Sequence, residues 1–429
     1  MKHNLKENRA AFADFDNDGF LDLLILIKDG TVLYHNAGKG NFVNMTGDAG
    51  LSTLKEGSSP LFVDLDHDGD LDLFQARDGL NQVFLNTGDR SFEQVEDQMG
   101  LGGAPDTKTI EAIFGDFDDD GDLDLYLVNA NAPDLFAWNQ RQGAFKTVEM
   151  SGEMDVPVGS KAAVAGDFNN DGLLDLALVN NSNSPLLLLE NQGEGAFKSR
   201  SDLAANFQDL RGANINDLEV IDFDNDGYLD LVLAGASKTE ADRGIYLYHN
   251  KGDGSFENLS QLLPEGPFST SQISKFDYNE DGDSDLLLSG TKGEVFLLRN
   301  DGGNRNHYLN MKLVGLRSGS AKNNYFGIGS KVEMRAGDLY QSTVVTQPEI
   351  TFGLGNRSKA DVIRITWTNG VPQNIVLPDA NQNLIEEQTL KGSCPFLYTG
   401  NGEEYVVVKD NPWRSDLGLP VGILGVHMS

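Results

Sequence analysis

Twenty-four positions in this chain, set in six copies of one nonapeptide, have the types and spacing to close oxygen cages around hard cations. Each copy reads Asp, any residue, Asp or Asn, any residue, Asp, Gly, two residues, Asp. The cage residues are Asp14, Asp16, Asp18 and Asp22, then Asp64, Asp66, Asp68 and Asp72, then Asp116, Asp118, Asp120 and Asp124. They continue as Asp167, Asn169, Asp171 and Asp175, then Asp222, Asp224, Asp226 and Asp230, and finally Asp277, Asn279, Asp281 and Asp285. Ca²⁺ takes six to eight oxygens at about 2.3–2.6 Å in a flexible shell. Carboxylates at positions 1, 3 and 5 point one way. The glycine at position 6 permits the sharp turn that brings the position 7 carbonyl and the position 9 carboxylate to the same ion. About six Ca²⁺ ions are expected as the cofactor. Asn169 and Asn279 supply a neutral oxygen where the other cages supply charge, so their sites are expected to be the weaker two.

What flanks the cages decides which scaffold holds them. An EF-hand needs a Glu at position 12 and helices on both sides. Here position 12 is Ile25, Gln75, Leu127, Leu178, Leu233 or Leu288, inside short apolar runs suited to buried strands. The EF-hand reading is rejected. Position 2 (Phe15, Leu65, Phe117, Phe168, Phe223, Tyr278) faces away from the ligands in an extended segment and is expected to be buried between neighbouring units. After each run comes a second signature, an apolar or aromatic pair, then Asn, a Gly-rich turn and Phe, as in Leu33–Phe42, Val83–Phe92, Phe136–Phe145, Leu188–Phe197 and Leu247–Phe256. Strand, turn and strand make a hairpin. Cage starts lie 50, 52, 51, 55 and 55 residues apart, so each unit has room for about four strands, the content of a propeller blade.

Cage and hairpin together resemble the FG-GAP/VCBS repeats of integrin-alpha-type β-propellers, over roughly residues 8 to 300. The expected fold is all-β: a β-propeller over residues 1–303 with six cage-bearing blades, then a small antiparallel β domain. Related propellers often have seven blades, and a ring must close to hide its edge strands, so a seventh blade is compatible with the intact protein. The repeat breaks after Leu297–Asn300. Asn306–Gly315, Gly327–Gly337, Thr351–Gly355 and Asp361–Gly370 resemble the ASPIC/UnbV domain, with Val332, Met334, Val362, Arg364 and Thr366 alternating as in half-buried strands. This domain is assigned to residues 304–389. Residues 390–429 are expected to be a trailing, incomplete segment with a hairpin turning at Asn401–Gly402. Met1–Asn8 carry no apolar segment of signal-peptide type, and both ends read as cut.

Composition bounds the function. The formal charge is −33, and 22 of the 24 cage positions are Asp. Six bound Ca²⁺ would leave about −21, which argues against nucleic acid and anionic membrane as partners. No apolar run of about 18 residues exists, so membrane insertion is not expected. The single cysteine, Cys394, permits no internal disulfide. The motifs H-E-x-x-H, G-x-S-x-G and G-x-x-x-x-G-K are absent. His35 and His249, each preceding the repeat Asn, are read as structural. The resemblance implies a non-enzymatic, calcium-stabilised binding or adhesion scaffold, extracellular or periplasmic, whose partner is an extracellular protein or a glycan. The alternative is a propeller enzyme acting on polysaccharide, a lyase or hydrolase. That would need His, Arg, Lys or Tyr to converge on one face. Binding is expected on the unequal links Leu51–Ser59, Leu101–Ile110, Ser151–Lys161, Leu203–Asn216 and Ser237–Gly244 and on the C-terminal domain, not in the cages.

Overall fold

Each cage ends where a strand begins, because the position 9 aspartate is the first residue of the second strand of its sheet. Asp22, Asp72, Asp124, Asp175, Asp230 and Asp285 all hold that place. In this computed structural model, residues 10–27, 30–95, 98–141, 143–150, 156–182, 185–236, 244–265, 268–317, 322–389, 396–400 and 405–410 are described. Cys394, the Asn401–Gly402 turn and parts of the Ser151–Lys161 and Ser237–Gly244 links lie outside them.

Five repeats fold into four-stranded antiparallel sheets in chain order, and the sixth into a three-stranded one. The first blade comprises Ala10–Ala13, Asp22–Ile27, Gly30–Asn36 and Phe42–Asn44, and the sixth Thr270–Phe276, Asp285–Gly290 and Val295–Leu298. The first strands of successive blades lie beside one another in chain order. Among the described residues there is no α-helix, only short 3-10 turns.

Aromatic anchors join the blades. Phe15, Leu65, Phe117 and Phe168 are buried. Each anchor ring packs on the hairpin Phe of the following blade: Phe15 on Phe92 at 5.7 Å, Phe117 on Phe197 at 6.4 Å, Phe168 on Phe256 at 6.4 Å between centroids. The side chain of the repeat Asn closes the same seam. Asn86, Asn191, Asn250 and Asn300 donate Nδ2–H to the backbone carbonyls of Phe15, Phe117, Phe168 and Phe223. Two anchors depart from the expected burial: Phe223 is only half-buried, and Tyr278 is 56% exposed. For Tyr278 the reason is topological: the sixth anchor has no following repeat to cover it.

From His307 onward two sheets form. One is Ile350–Gly355, His307–Val314 and Gln382–Glu387 in that order, and the other is Leu339–Val344, Lys331–Ala336, Val362–Thr366 and Pro372–Val376. The alternation in the second sheet is present, with Val332, Met334, Ile363 and Ile365 buried with Trp367. The domain is not purely antiparallel, however, since His307–Val314 pairs parallel with Gln382–Glu387. A long intervening chain permits that pairing, as a hairpin would not. Repeats and this domain belong to one compact unit ending at Glu387. Gln388–Ser429 is a separate unit, in which Phe396–Gly400 and Tyr405–Asp410 pair as an antiparallel hairpin.

Candidate metal centres

The three outer carboxylates of each cage are held by backbone amides before any ion is considered. At position 1, Asp14 Oδ1 accepts from Asp18 N at 3.0 Å and Oδ2 from Gly19 N at 2.8 Å. Asp64, Asp116, Asp167, Asp222 and Asp277 repeat this pair of bonds. At position 5, Asp18, Asp68, Asp120, Asp171, Asp226 and Asp281 accept from the amide two residues on. At position 9, Asp22 accepts from Phe15 N at 3.2 Å and Asn36 N at 2.7 Å, clamping the cage to its hairpin. The other five position 9 aspartates do the same.

Position 3 varies from cage to cage: Asp66 and Asn169 accept from the amide two residues on, at 3.2 Å and 3.1 Å. Asp16, Asp118 and Asp224 each leave Oδ1 buried with no hydrogen-bond partner. Possible ligand atoms of Asp14, Asp16 and Asp18, of Asp64, Asp66 and Asp72, and of Asp116, Asp118 and Asp124 lie within 4.8 Å of one another. An ionised carboxylate buried without a partner is costly, so these oxygens fit a cation as their missing neighbour. The protonation balance says the same. Burial, with backbone bonds opposing and neighbouring carboxylates adding, pushes Asp14 up to about 7. Burial also raises Asp167 to about 7 and Asp124 and Asp175 to about 8. All-oxygen donors in a flexible turn suit a hard dication. In the two Asn cages, Asn169 and Asn279 donate Nδ2–H to Asp171 at 2.9 Å and Asp281 at 2.7 Å. In a site-resolved Ca²⁺ titration these two cages are expected to fill last. Finding that both fill first would contradict the charge argument.

Two features of the cages were not read from the sequence. The position 4 residues Asn17, His67, Asp119, Asn170, Asn225 and Glu280 all have φ between 56° and 62°. The side chains of the three asparagines among them reach the next cage: Asn17 Nδ2 donates to Asp70 Oδ1 at 2.7 Å, Asn170 Nδ2 to Gly227 O at 3.1 Å and Asn225 Nδ2 to Asp283 Oδ1 at 3.0 Å. The N-D-G triplets at Asn17, Asn170 and Asn225 carry the signal, since Asn tolerates the left-handed region.

Second, the C-terminal domain rests on the cage turns. Asn17 Oδ1 accepts from Tyr325 N at 2.8 Å, Lys322 pairs with Asp70, and Lys331 Nζ meets Asp119 at 2.6 Å. Asn225 O accepts from Gly355 N at 2.8 Å and Asp224 O from Asn306 Nδ2 at 2.8 Å. A Cβ on Gly172 would meet Tyr340 at 3.0 Å, and one on Gly282 would meet Tyr308 at 2.2 Å. All six cages thus touch this domain.

Between the inner strands and the Gln341–Phe352 segment lies a cavity of about 540 Å³. Its titratable lining among the described residues is Asp167, Glu219, Asp222, Lys275, Asp277 and Glu349, with no His, Arg or Tyr. Lys275 Nζ sits 3.6 Å from Glu219 and donates to Val220 O at 2.7 Å.

Comparison with known proteins agrees with this architecture. The FG-GAP-like repeat family matches at residues 14–75, 64–127, 116–178, 167–233 and 222–288. The ASPIC and UnbV family matches residues 319–391. Cartilage acidic protein 1 of Mus musculus is 27% identical over 298 residues, 64% of this chain and 45% of that protein. The Homo sapiens protein of that name is 26% identical over 296 residues, 64% and 44% respectively. The chain therefore spans less than half the length of these relatives. A solved structure of an Agrocybe aegerita lectin, described as recognising non-reducing terminal N-acetylglucosamine, covers 69% of this chain and 78% of its own. Its identity is 20% and its TM-score 0.48, a likeness from which no ligand is inferred.

Proposed function

The chain belongs to the FG-GAP-like repeat family, and from that premise we propose a calcium-stabilised, non-enzymatic scaffold that binds a protein or glycan partner outside the cell. The observation that carries the calcium reading is the buried, unpartnered oxygen of Asp16, Asp118 and Asp224, repeated at the same cage position. Asp14, Asp16, Asp18 and Asp22, and their counterparts in the other five cages, would hold the ions. Bound Ca²⁺ would supply positive charge to crowded carboxylates and fix the turns. Those turns in turn seat the C-terminal domain, so the cages serve the fold.

The partner surface follows from topology. In a four-stranded antiparallel blade, the cage turn and the hairpin's Gly-rich turn fall at one end. The links between blades fall at the other. The C-terminal domain covers the cage end, leaving the unequal links free to present a unique surface. Leu80, Val158 and Leu262, on that opposite end, are exposed. Charge keeps nucleic acid out of consideration, and among the described residues no helix is long and apolar enough to cross a membrane.

A screen of glycans and extracellular-matrix proteins, run with and without Ca²⁺, tests this. Leu203, Phe207, Leu210 and Ile215 of the Leu203–Asn216 link are buried, so that link cannot be exchanged whole without loss of stability. Once a partner is found, changing its exposed Ala204, Gln208 and Arg211 is expected to weaken binding while leaving the melting temperature nearly unchanged. Asp16→Ala is expected to lower stability, and binding only as far as folding fails. Link substitutions that all preserve affinity, together with a folded Asp16→Ala protein that loses it, would overturn the assignment.

A further inference from the structure

Two of the six cages carry a nitrogen donor, in one pose used twice. The residue before the repeat Asn is His35 in the first blade and His249 in the fifth, against Leu85, Trp138, Glu190 and Arg299 elsewhere. His35 Nδ1 lies 3.1 Å from the position 9 carboxylate of Asp22, and Nε2 lies 4.0 Å from the position 5 carboxylate of Asp18. His249 has the same two neighbours at 3.0 Å from Asp230 and 4.0 Å from Asp226. Each ring stands edge-on to the anchor Phe of its own blade, at 86° to Phe15 and 87° to Phe223. The pose is thus built by packing as well as by hydrogen bonding. Ligand atoms of Asp16, Asp22 and His35 lie within 4.8 Å of one another, as do those of Asp224, Asp226 and His249.

Both groups contain an oxygen that needs a partner. The Asp16 side chain is 1% exposed, and its Oδ1 has no hydrogen-bond partner while Arg90 Nε meets Oδ2 at 2.9 Å. Asp224 Oδ1 is likewise buried and unpartnered. Carboxylate oxygens alone suit Ca²⁺, whereas imidazole suits Zn²⁺, Co²⁺ and other first-row transition dications. On the cage reading above, we infer that the first and fifth cages are mixed carboxylate–imidazole sites that hold a transition-metal dication in preference to Ca²⁺. His35 and His249 are the residues that set this selectivity. The protein would then carry two classes of site on one repeated frame, four for hard cations and two for borderline ones.

The test uses the full chain, stripped by chelator and desalted. Co²⁺ is titrated in excess Ca²⁺, with bound metals counted by elemental analysis and the Co²⁺ visible spectrum recorded. About two equivalents of Co²⁺ are expected to persist against Ca²⁺, with a spectrum showing nitrogen ligation. His35→Leu and His249→Leu, which place in each blade the residue type found at Leu85, are each expected to remove one equivalent. Each change reads as a loss of roughly ten- to hundredfold or more in Co²⁺ affinity at that site. The double variant is expected to keep its Ca²⁺ and its Ca²⁺-dependent melt, which shows that it folds. Co²⁺ uptake that is fully displaced by Ca²⁺, or that survives both substitutions, overturns the inference. Two Co²⁺ ions bound with no Ca²⁺ elsewhere would instead sink the calcium reading and leave the histidine sites standing.

Discussion

Stripping divalent cations from the full chain is expected to lower its melting temperature sharply, and restoring millimolar Ca²⁺ to recover it. Each site at ten times its dissociation constant adds about 1.4 kcal/mol, and six independent sites would add about 8 kcal/mol. That is comparable to the whole stability of an ordinary domain, about 5–15 kcal/mol, although neighbouring blades share contacts and will not add cleanly. The effect has a pH signature. Burial holds Asp14, Asp64 and Asp167 up to about 7 and Asp124 and Asp175 up to about 8 in the ion-free fold. A folded-state value above the unfolded one favours the protonated protein. The stripped protein therefore loses stability as pH rises from the ordinary carboxylate range through about 8. A bound cation stabilises the ionised carboxylates and should flatten or reverse that slope. A melt that is the same with chelator and with Ca²⁺ at pH 8 would contradict the role given to the cages.

Asp72→Ala is expected to be among the most damaging single substitutions in the repeats. Asp72 is fully buried at the start of its strand. It accepts from Leu65 N at 2.8 Å and Asn86 N at 2.7 Å, so its carboxylate joins the cage turn to the hairpin. Alanine would orphan two buried amides, at about 1–3 kcal/mol each, and remove one carboxylate from the proposed cage. A loss of about 3–5 kcal/mol, seen in denaturant unfolding with Ca²⁺ present, is expected. Asp89, in an exposed hairpin turn where it accepts from Thr87 and Ser91, is the control. Asp89→Ala should leave unfolding nearly unchanged. Equal, small effects of the two changes would show that the position 9 carboxylate does not hold the blade together.

Much of this architecture was legible because it repeats. A cage motif is a local chemical demand, so Asp14 to Asp22 and its counterparts read directly from residue types and from the glycine that their turn requires. The apolar runs after each cage are strands, and Phe15, Leu65, Phe117 and Phe168 are interior as the period predicts. What repetition does not encode was missed. Tyr278 carries the anchor's residue type but stands exposed, because burial of an anchor depends on the blade that follows it. The parallel pairing of His307–Val314 with Gln382–Glu387 joins segments far apart in the chain, and no hairpin signal announces it. The seat of the C-terminal domain was invisible for the same reason. Tyr325, Lys322, Lys331, Tyr340, Gly355 and Tyr308 share no spacing, and each meets a different cage turn. Only the glycines left a trace: Gly69 and Gly282 combine a left-handed turn with a neighbour too close for a Cβ, Lys322 O at 2.9 Å and the Tyr308 ring at 2.2 Å.

The most direct measurement is a count of Ca²⁺ ions bound per stripped chain at equilibrium, by dialysis against calibrated free Ca²⁺. About six are expected when Ca²⁺ is the only dication present, with fewer in cage variants such as Asp64→Ala. A folded chain that binds none, or whose count is unchanged when Asp64 and Asp72 are both replaced, would contradict the assignment of these carboxylates as metal ligands.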